Sequence, residues 1–316
     1  MKNLLRAGII FFGVLALGAF LGSILLVQNM YTSNVAADDS AIKYHFAMYL
    51  PDTQTSYFDE IVLGAERAAR ELNSSVTIHS IDPGKNELEM ASYTGVSGFI
   101  VCPYLDDTLA RRQLEKISSR NIPLVIINHN VMADQPWPFI GANNFDIGRR
   151  MGELVEMSAP GAVRLAIVYS EKAPGIFGER ELVEMGMSTA LAPRLSGSIT
   201  SYRTNLNPLD VEELLYGLFR GDASINVLIF TDANDTIAAA QTLVDMNLVG
   251  RVQLIGFGDD PAILDYIRKG IIAGTIVTNP ELIGYESVRS LEALCSTGYT
   301  SASVDTGIRI ITGENL

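Results

Sequence analysis

Residues 123–150 read PLVIINHNVMADQPWPFIGANNFDIGRR, and this stretch decides the fold. Its apolar run at 124–127 is too short for a helix and is typical of a strand covered on both faces. The run stops at the polar triplet 128–130, which stands where open α/β sheets place ligand contacts. The prolines that follow exclude a regular helix, and a second apolar strand begins at Phe139.

This segment has two interpretations. It is either a passage between two lobes, with a ligand cleft beside it, or a long loop inside one continuous domain. In both cases Asn143 or Asn144 can cap the helix that follows the second strand.

The composition is typical of a globular protein and argues against several classes of function. Of 316 residues, 48% are hydrophobic and 19% charged, which is enough for two α/β lobes with separate cores. The net charge of −13 argues against a nucleic-acid partner, which requires a basic face. Cys102 and Cys295 lie in a strand-like and a helix-like run, which favours buried thiols over a disulfide. His45, His79 and His129 lack metal-ligand spacing, so we expect neither a metal site nor a cofactor.

The N-terminal stretch predicts a membrane anchor. Lys2 and Arg6 precede 21 uncharged residues, 7–27, which as a helix would span about 30 Å, the hydrocarbon core of a bilayer. The charge distribution predicts that the rest of the chain lies outside the cytoplasm, at the cell membrane. A cleaved signal peptide, with a loose cleavage site at 35–37, is the alternative.

From residue 43 onward, strand-like and helix-like segments alternate. Phe58, Ile61, Ala65 and Ala68, for example, recur at helical spacing. Such alternation predicts parallel sheets with helices on both faces. Besides the two strands named above, strands are predicted at 44–50, 75–81, 98–102, 163–169, 198–202, 227–230, 252–257, 275–277 and 306–311.

Polar or aromatic side chains follow five of the predicted strands. Because parallel strands end at one edge of a sheet, we expect these side chains to converge. Carboxylates and amides bind neighbouring hydroxyls and aromatic rings stack on sugar rings, so the pattern predicts a carbohydrate-type site. The alternative is that each Asp or Asn only caps the following helix. The candidate ligand-binding residues are Thr55, Tyr57, Phe58, Asn128, His129, Asp232, Asn234, Asp259 and Asn279.

Signatures of catalysis are weak. The chain has neither G-x-S-x-G nor G-x-x-x-x-G-K-[ST]. His129 with Asp232 or Asp259 could form a base and its orienting group, but no motif places a nucleophile. We therefore expect a binding protein and not an enzyme.

Short segments over residues 43–315 carry a family resemblance. They are SYF (56–58), GFIV (98–101), IPLV (122–125), IGANN (140–144), FTD (230–232), GF (256–257), GIIAGT (270–275) and NP (279–280). In their order and spacing, the chain resembles the type 1 periplasmic-binding-protein family, in its sugar-binding branch close to ribose- and xylose-binding proteins.

The resemblance implies two Rossmann-like lobes joined by a three-strand hinge, which close on a sugar. Tyr57 and Phe58 then match stacking aromatics, and Asn128 and His129 stand where the family has Asp-Arg. Asn279 replaces the usual glutamine.

Two departures leave the identity of the sugar open. The family's Gly-Phe-Asp ends in Gly258 here, which makes Asp259 a displaced substitute. Val183 replaces the family's binding arginine, which makes Arg180, three residues earlier, a further candidate.

The resemblance also implies a domain division and partners. The predicted division is an anchor and tether at 1–41, an N-terminal lobe at 42–142 plus 279–303, and a C-terminal lobe at 143–278 plus 304–316. The implied partners are a small-molecule sugar and either an ABC permease, for uptake, or a membrane histidine kinase, for signalling.

Overall fold

The structure is a computed structural model, in which placement is described for part of the chain. The described residues are 17–24, 42–52, 56–81, 87–103, 106–134, 136–171, 176, 178–205, 207, 209–221 and 224–316.

The first lobe contains a parallel sheet of six strands with helices on both faces. Its strands are β1 (His45–Pro51), β2 (Ser75–Ile81), β3 (Gly98–Val101), β4 (Leu124–Ile127), β5 (Phe139–Gly141) and β11 (Ser303–Asp305). Its helices are α1 (Ser56–Glu71), α2 (Glu87–Ala91), α3 (Asp107–Ser118) and α9 (Pro280–Thr297). The strand order is β11-β5-β4-β3-β1-β2.

The second lobe repeats this design with one antiparallel edge. Its strands are β6 (Leu165–Ser170), β7 (Thr200–Thr204), β8 (Val227–Phe230), β9 (Gln253–Phe257), β10 (Gly274–Val277) and β12 (Arg309–Thr312). Its helices are α4 (Asn144–Ser158), α5 (Arg180–Leu191), α6 (Asp210–Gly221), α7 (Ala233–Asp245) and α8 (Pro261–Arg268). The strand order is β12-β10-β9-β8-β6-β7, and β12 is antiparallel to β10.

Alternate residues of the central strands pack into opposite layers, as the two-residue period of a strand requires. In β1, Phe46 and Met48 pack against α1 and α9, whereas Ala47 and Tyr49 pack against α2 and α3. Because both faces are covered, the strands read as continuous apolar runs. The predicted two-lobed α/β fold with parallel sheets is therefore confirmed.

The chain passes between the sheets at three points. The first crossing leads from β5 to α4, the second from β10 to α9, and the third from β11 to β12. The predicted single strand at 306–311 was wrong in its start, because Gly307, with φ +77°, interrupts the segment. The predicted lobe boundary at 303 also shifts, because β11 pairs with β5 through Asp305 and stays in the first lobe.

The predicted membrane anchor falls mostly outside the described residues. Residues 17–24 are helical, with Leu17 and Phe20 exposed. Among the described residues, no helix has both the length and the apolar character needed to cross a bilayer. Residues 7–16 and 25–27 lie outside the described part, so the anchor stays a prediction.

Candidate ligand-binding site

A cavity of about 220 Å³ lies at the carboxyl ends of the strands, with walls from both lobes. The first lobe contributes Ser56, Tyr57, Glu60 and Asn128, and the chain crossings contribute Ala142, Val277, Thr278 and Pro280. The second lobe contributes Asn144, Ile147, Ile176, Thr231, Asp232, Ala233, Asn234, Phe257, Gly258, Asp259, Asp260 and Pro261.

The size of the cavity limits the ligand. One water occupies about 30 Å³ in the liquid, so 220 Å³ corresponds to about seven waters. Pockets for drug-sized ligands enclose roughly 300–1,000 Å³. The cavity therefore suits a small ligand such as a single sugar ring.

In the first lobe, Tyr57 and Asn128 form a hydrogen-bonded pair. The Tyr57 hydroxyl donates to Asn128 Oδ1 at 2.6 Å. Burial, followed by the charge effect of Cys102, raises the pKa of Tyr57 above its usual range, so the phenol stays protonated and remains a donor. Asn128 adopts φ +66°, a left-handed conformation that asparagine tolerates better than most residues and that ends β4 abruptly.

Cys102 lies behind this pair and is inert. Its side chain is fully buried, and burial raises the pKa of the thiol to about 12. Cys102 and Cys295 are both free thiols, as the sequence predicts, although Cys295 is only partly buried. A neutral thiol behind the cavity wall acts as a small apolar residue.

In the second lobe, helix caps supply part of the wall. Asp232 accepts a hydrogen bond from the Asp235 backbone N–H at 3.0 Å, which caps α7, and its side chain also lines the cavity. Asp260 accepts from the Ala262 backbone N–H at 2.8 Å and caps α8 in the same way. The two interpretations of these strand-end carboxylates, capping and ligand contact, are therefore compatible, because a carboxylate has several lone pairs.

The wall is acidic. The described lining residues include four carboxylates, Glu60, Asp232, Asp259 and Asp260, and neither lysine nor arginine. Burial, then Asp259 and Glu281, raise the pKa of Glu60. Asp259 has a partial counter-charge in Arg309 of β12, at 3.4 Å. Such a wall repels anions and offers hydrogen-bond acceptors to hydroxyl groups.

Apolar side chains complete the cavity. Among the described lining residues, the aromatic ones are Tyr57 from the first lobe and Phe257 from the second, and Ile147, Ile176 and Val277 add aliphatic surface. A mixture of apolar surface with a few acceptors is typical of small-molecule sites.

The structure brings together about half of the sequence-predicted site residues. Tyr57, Asn128, Asp232, Asn234 and Asp259 line the cavity. Thr55 lies outside the described residues.

Four other predicted residues do not line the cavity. Phe58, 4% exposed, points into the core because successive helical residues are about 100° apart. His129 is buried beside Asp107, with 2.7 Å between Nε2 and Oδ1. Arg180 is exposed and lies 3.3 Å from the Glu181 carboxylate. Asn279 caps α9 by accepting from the Leu282 backbone N–H.

Sequence reasoning missed several lining residues. Asn144 and Ile147 lie in the first turn of α4, and Thr278 directly precedes the candidate Asn279. Asn144 carried a usable signal, because it follows a strand and opens a helix at a crossing. For Ile147 and Ile176, apolar residues in helix-like surroundings, the sequence offers no signal that separates them from core.

Two α/β lobes, three crossings and a cavity walled by both lobes define the class of two-lobed ligand-binding proteins. Within that class, residues 46–299 match the family model described as a periplasmic binding protein domain. The chain belongs to this family, which confirms the resemblance.

Three solved structures illustrate the shared fold. GanP, a glucose-galactose binding protein from Geobacillus stearothermophilus, is 22% identical with a TM-score of 0.77, and the match covers 86% of this chain and 98% of GanP. A sugar-binding protein of a sugar ABC transporter from Bacillus halodurans is 20% identical with a TM-score of 0.73, over 86% and 98% of the two chains.

The third is a carbohydrate transporter solute binding protein from Agrobacterium radiobacter, in complex with D-arabinose. It is 17% identical with a TM-score of 0.74, over 86% of this chain and 95% of the other. At these identities the likeness concerns the fold alone. No curated protein matches the chain.

Proposed function

We propose that this protein binds a neutral monosaccharide between its lobes and releases it unchanged. The observation that carries the proposal is the cavity itself. It has the volume of a small ligand, acceptors from Asn128, Asp232 and Asp259, and aromatic rings from opposite lobes. Structural neighbours described as glucose-galactose binding and as bound to D-arabinose support the same ligand class.

The charge of the wall narrows the ligand further. Four carboxylates without a lining lysine or arginine in the described residues make an anionic sugar unfavourable. A neutral sugar loses no charge–charge energy here and can donate its hydroxyl protons to the carboxylates. Because a ligand that contacts both lobes stabilises their closed arrangement, binding and closure are coupled.

A thermal-shift screen of the purified full chain tests this function. The panel contains D-glucose, D-galactose, D-arabinose, D-xylose and D-ribose, with D-glucuronate as the anionic control. A neutral sugar at 100 times its Kd adds about 2.7 kcal/mol to the stability. For a protein of this size that corresponds to a rise in Tm of about 4 °C. A shift with D-glucuronate alone, or conversion of a sugar to product, would overturn the proposal.

For the cellular role, we propose a receptor at the cell membrane that presents its lobes outside the cytoplasm. The uncharged stretch 7–27 behind Lys2 and Arg6 supports a retained anchor. Retention of the full-length chain in membranes after alkaline carbonate extraction, with protease access only from outside, is the expected result. Release of a shortened chain would favour a cleaved signal.

Two partners fit such a receptor, an ABC permease and a membrane histidine kinase. A neighbour described as the sugar-binding protein of an ABC transporter supports the first. A retained anchor supports the second, since it holds the lobes beside a membrane partner. Deletion of the gene separates them: loss of labelled-sugar uptake indicates transport, and loss of a sugar-dependent transcriptional response with intact uptake indicates sensing.

A further inference from the structure

Glu179, directly before α5 in the second lobe, reaches the first lobe. Its Oε1 accepts a hydrogen bond from the backbone N–H of Asn130, which follows β4, at 2.8 Å. Its Oε2 accepts from Nδ2 of Asn144, the first residue of α4, at 3.1 Å. One carboxylate therefore connects a first-lobe loop to the start of a second-lobe helix.

Capping of α5 does not explain why a glutamate stands at position 179. Glu179 occupies the N-cap position, where Ser, Thr, Asp and Asn are preferred because their short side chains reach the free N–H groups. Its side chain makes no capping hydrogen bond to α5. Oε1 is instead directed to the first lobe, and Oε2 is held by Asn144 of its own lobe.

The neighbouring residue fits the same contact. A Cβ on Gly178 would lie 2.0 Å from the His129 ring, so only glycine allows the two lobes to approach this closely. His129 is 4% exposed and is positioned from behind by Asp107. In this contact, the buried His129 ring of the first lobe packs against the backbone of Gly178 in the second lobe, where no side chain intervenes.

The contact lies next to the cavity. Asn130 follows the lining residue Asn128 by two positions, Asn144 is itself a lining residue, and Ile176 lines the cavity three positions before Glu179. The Glu179 carboxylate therefore contacts one lining residue, Asn144, directly, and lies within three residues of Asn128 or Ile176 through Asn130 and its own segment.

We propose that Glu179 is a positioning residue that holds the two lobes in the ligand-binding arrangement through Asn130 and Asn144. Its effect on ligand affinity rests on the proposed function, because a preformed closed arrangement raises apparent affinity by raising the binding-competent fraction. The contact joins protein atoms alone, so it can be measured in the protein without a sugar.

Hydrogen exchange of the full chain without sugar tests the contact. A hydrogen bond to a carboxylate protects the Asn130 amide, and loss of this bond raises local opening. In Glu179→Ala we expect about tenfold faster exchange in peptides spanning 128–134, equivalent to about 1.4 kcal/mol. The matched control is Glu181→Ala, since Glu181 is 75% exposed and lies two residues further along the same segment.

Two more variants keep the test decisive if Glu179→Ala folds poorly. Glu179→Gln retains an acceptor for Asn130, so we expect it to restore most of the protection, which a purely structural defect would not show. Gly178→Ala should speed exchange at 128–134 with Glu179 intact, because its Cβ collides with the His129 ring. Wild-type exchange in both Glu179→Ala and Gly178→Ala would overturn the proposal. Since the assay contains no sugar, this outcome differs from failure of the thermal-shift screen, which concerns the ligand.

Discussion

The two lobes pack their first long helix against a second helix through the same device, a pair of glycines. In the first lobe, a Cβ on Gly64 would lie 1.9 Å from the Glu281 carbonyl oxygen, and one on Gly284 would lie 1.8 Å from that of Ile61. In the second lobe, Cβ atoms on Gly148 and Gly186 would lie 1.9 and 2.0 Å from the carbonyl oxygens of Val183 and Phe145. Backbone touches backbone in both pairs, α1 with α9 and α4 with α5.

The surfaces of the two pairs differ. Polar side chains connect α1 to α9, where Arg67 pairs with Glu281 and the Tyr285 hydroxyl donates to Glu71 at 2.6 Å. In the second lobe, the polar link comes from Arg194, which lies after the end of α5. Its guanidinium donates to the carbonyls of Glu156 in α4 and of Gly161 after α4, at 3.0 and 2.9 Å.

The comparison separates features that both lobes share from features that differ between them at the cavity. The glycine contacts place the first turns of α1 and α4 at the cavity in both lobes. Those turns carry different chemistry, namely Tyr57 and Glu60 in the first lobe and Asn144 and Ile147 in the second. Helix placement is therefore shared, whereas ligand contacts are particular to each lobe.

The largest expected effect is on the glycine contacts. In Gly284→Ala and Gly148→Ala the new Cβ would meet a backbone oxygen that cannot rotate away, so the helices must separate. By thermal unfolding, we expect each variant to lose about 3 kcal/mol of stability, which corresponds to about 5 °C in Tm.

Gly217→Ala is the matched control for both variants. Gly217 lies inside α6, and a Cβ there would meet nothing within 4 Å. Alanine should therefore gain about 0.5–1 kcal/mol through its better helix propensity. If either contact glycine tolerates alanine as Gly217 does, the two helix pairs are not equivalent.

A second prediction compares the lobes as ligand-binding surfaces. Asp232→Ala removes a charged acceptor, worth about 1.5–3 kcal/mol, and should weaken sugar binding about 10- to 150-fold. Asn128→Gly removes a neutral amide while keeping the left-handed backbone at φ +66°, and should weaken binding about 3- to 10-fold. Titration calorimetry with the sugar that gives the largest thermal shift measures both.

The control for this pair is Asp245→Ala, an aspartate at the far end of α7 that forms a hydrogen bond with Gln241. It should leave the affinity unchanged. Loss of the α7 cap in Asp232→Ala costs about 1 kcal/mol of stability, which does not unfold the protein. Affinities of Asp232→Ala and Asn128→Gly equal to that of Asp245→Ala would contradict the assigned walls.

Much of the fold and part of the site could be predicted from the sequence. The buried strands are continuous apolar runs, and their polar ends mark the sheet edge where Asn128 and Asp232 lie. This signal is local, because a strand and the residue after it are adjacent in the chain.

The rest depends on contacts between segments distant in the chain. The charge of Arg180 near a family position makes it a candidate, but Glu179, one residue earlier, reaches the other lobe. The direction of a side chain at a helix start depends on where the first turn begins, which periodicity does not define to one residue. Asn279 shows the same limit, because its side chain is used by α9.

The smallest predicted effect concerns the charge repulsion between Glu60 of the first lobe and Asp259 of the second. Glu60 of the first lobe has a raised pKa, caused mainly by burial and then by Asp259 of the second lobe and by Glu281. A folded-state pKa above the unfolded value means that the native state binds more protons. The free energy of unfolding contributed by Glu60 therefore falls as pH rises, from about pH 4.3, the ordinary glutamate value, through the raised folded pKa.

Glu60→Gln removes the ionisable group and therefore this loss of stability at higher pH. We expect the variant to exceed the wild type in Tm at about pH 7 and to match it more closely at about pH 4. Glu66→Gln is the control on the same helix, since Glu66 pairs with Arg70 at 3.6 Å. In an Asp259→Asn background the gain from Glu60→Gln should shrink, because one source of the repulsion is already absent. An equal gain in both backgrounds would mean that the two lobes do not interact through these carboxylates, and that burial and Glu281 alone raise the pKa of Glu60.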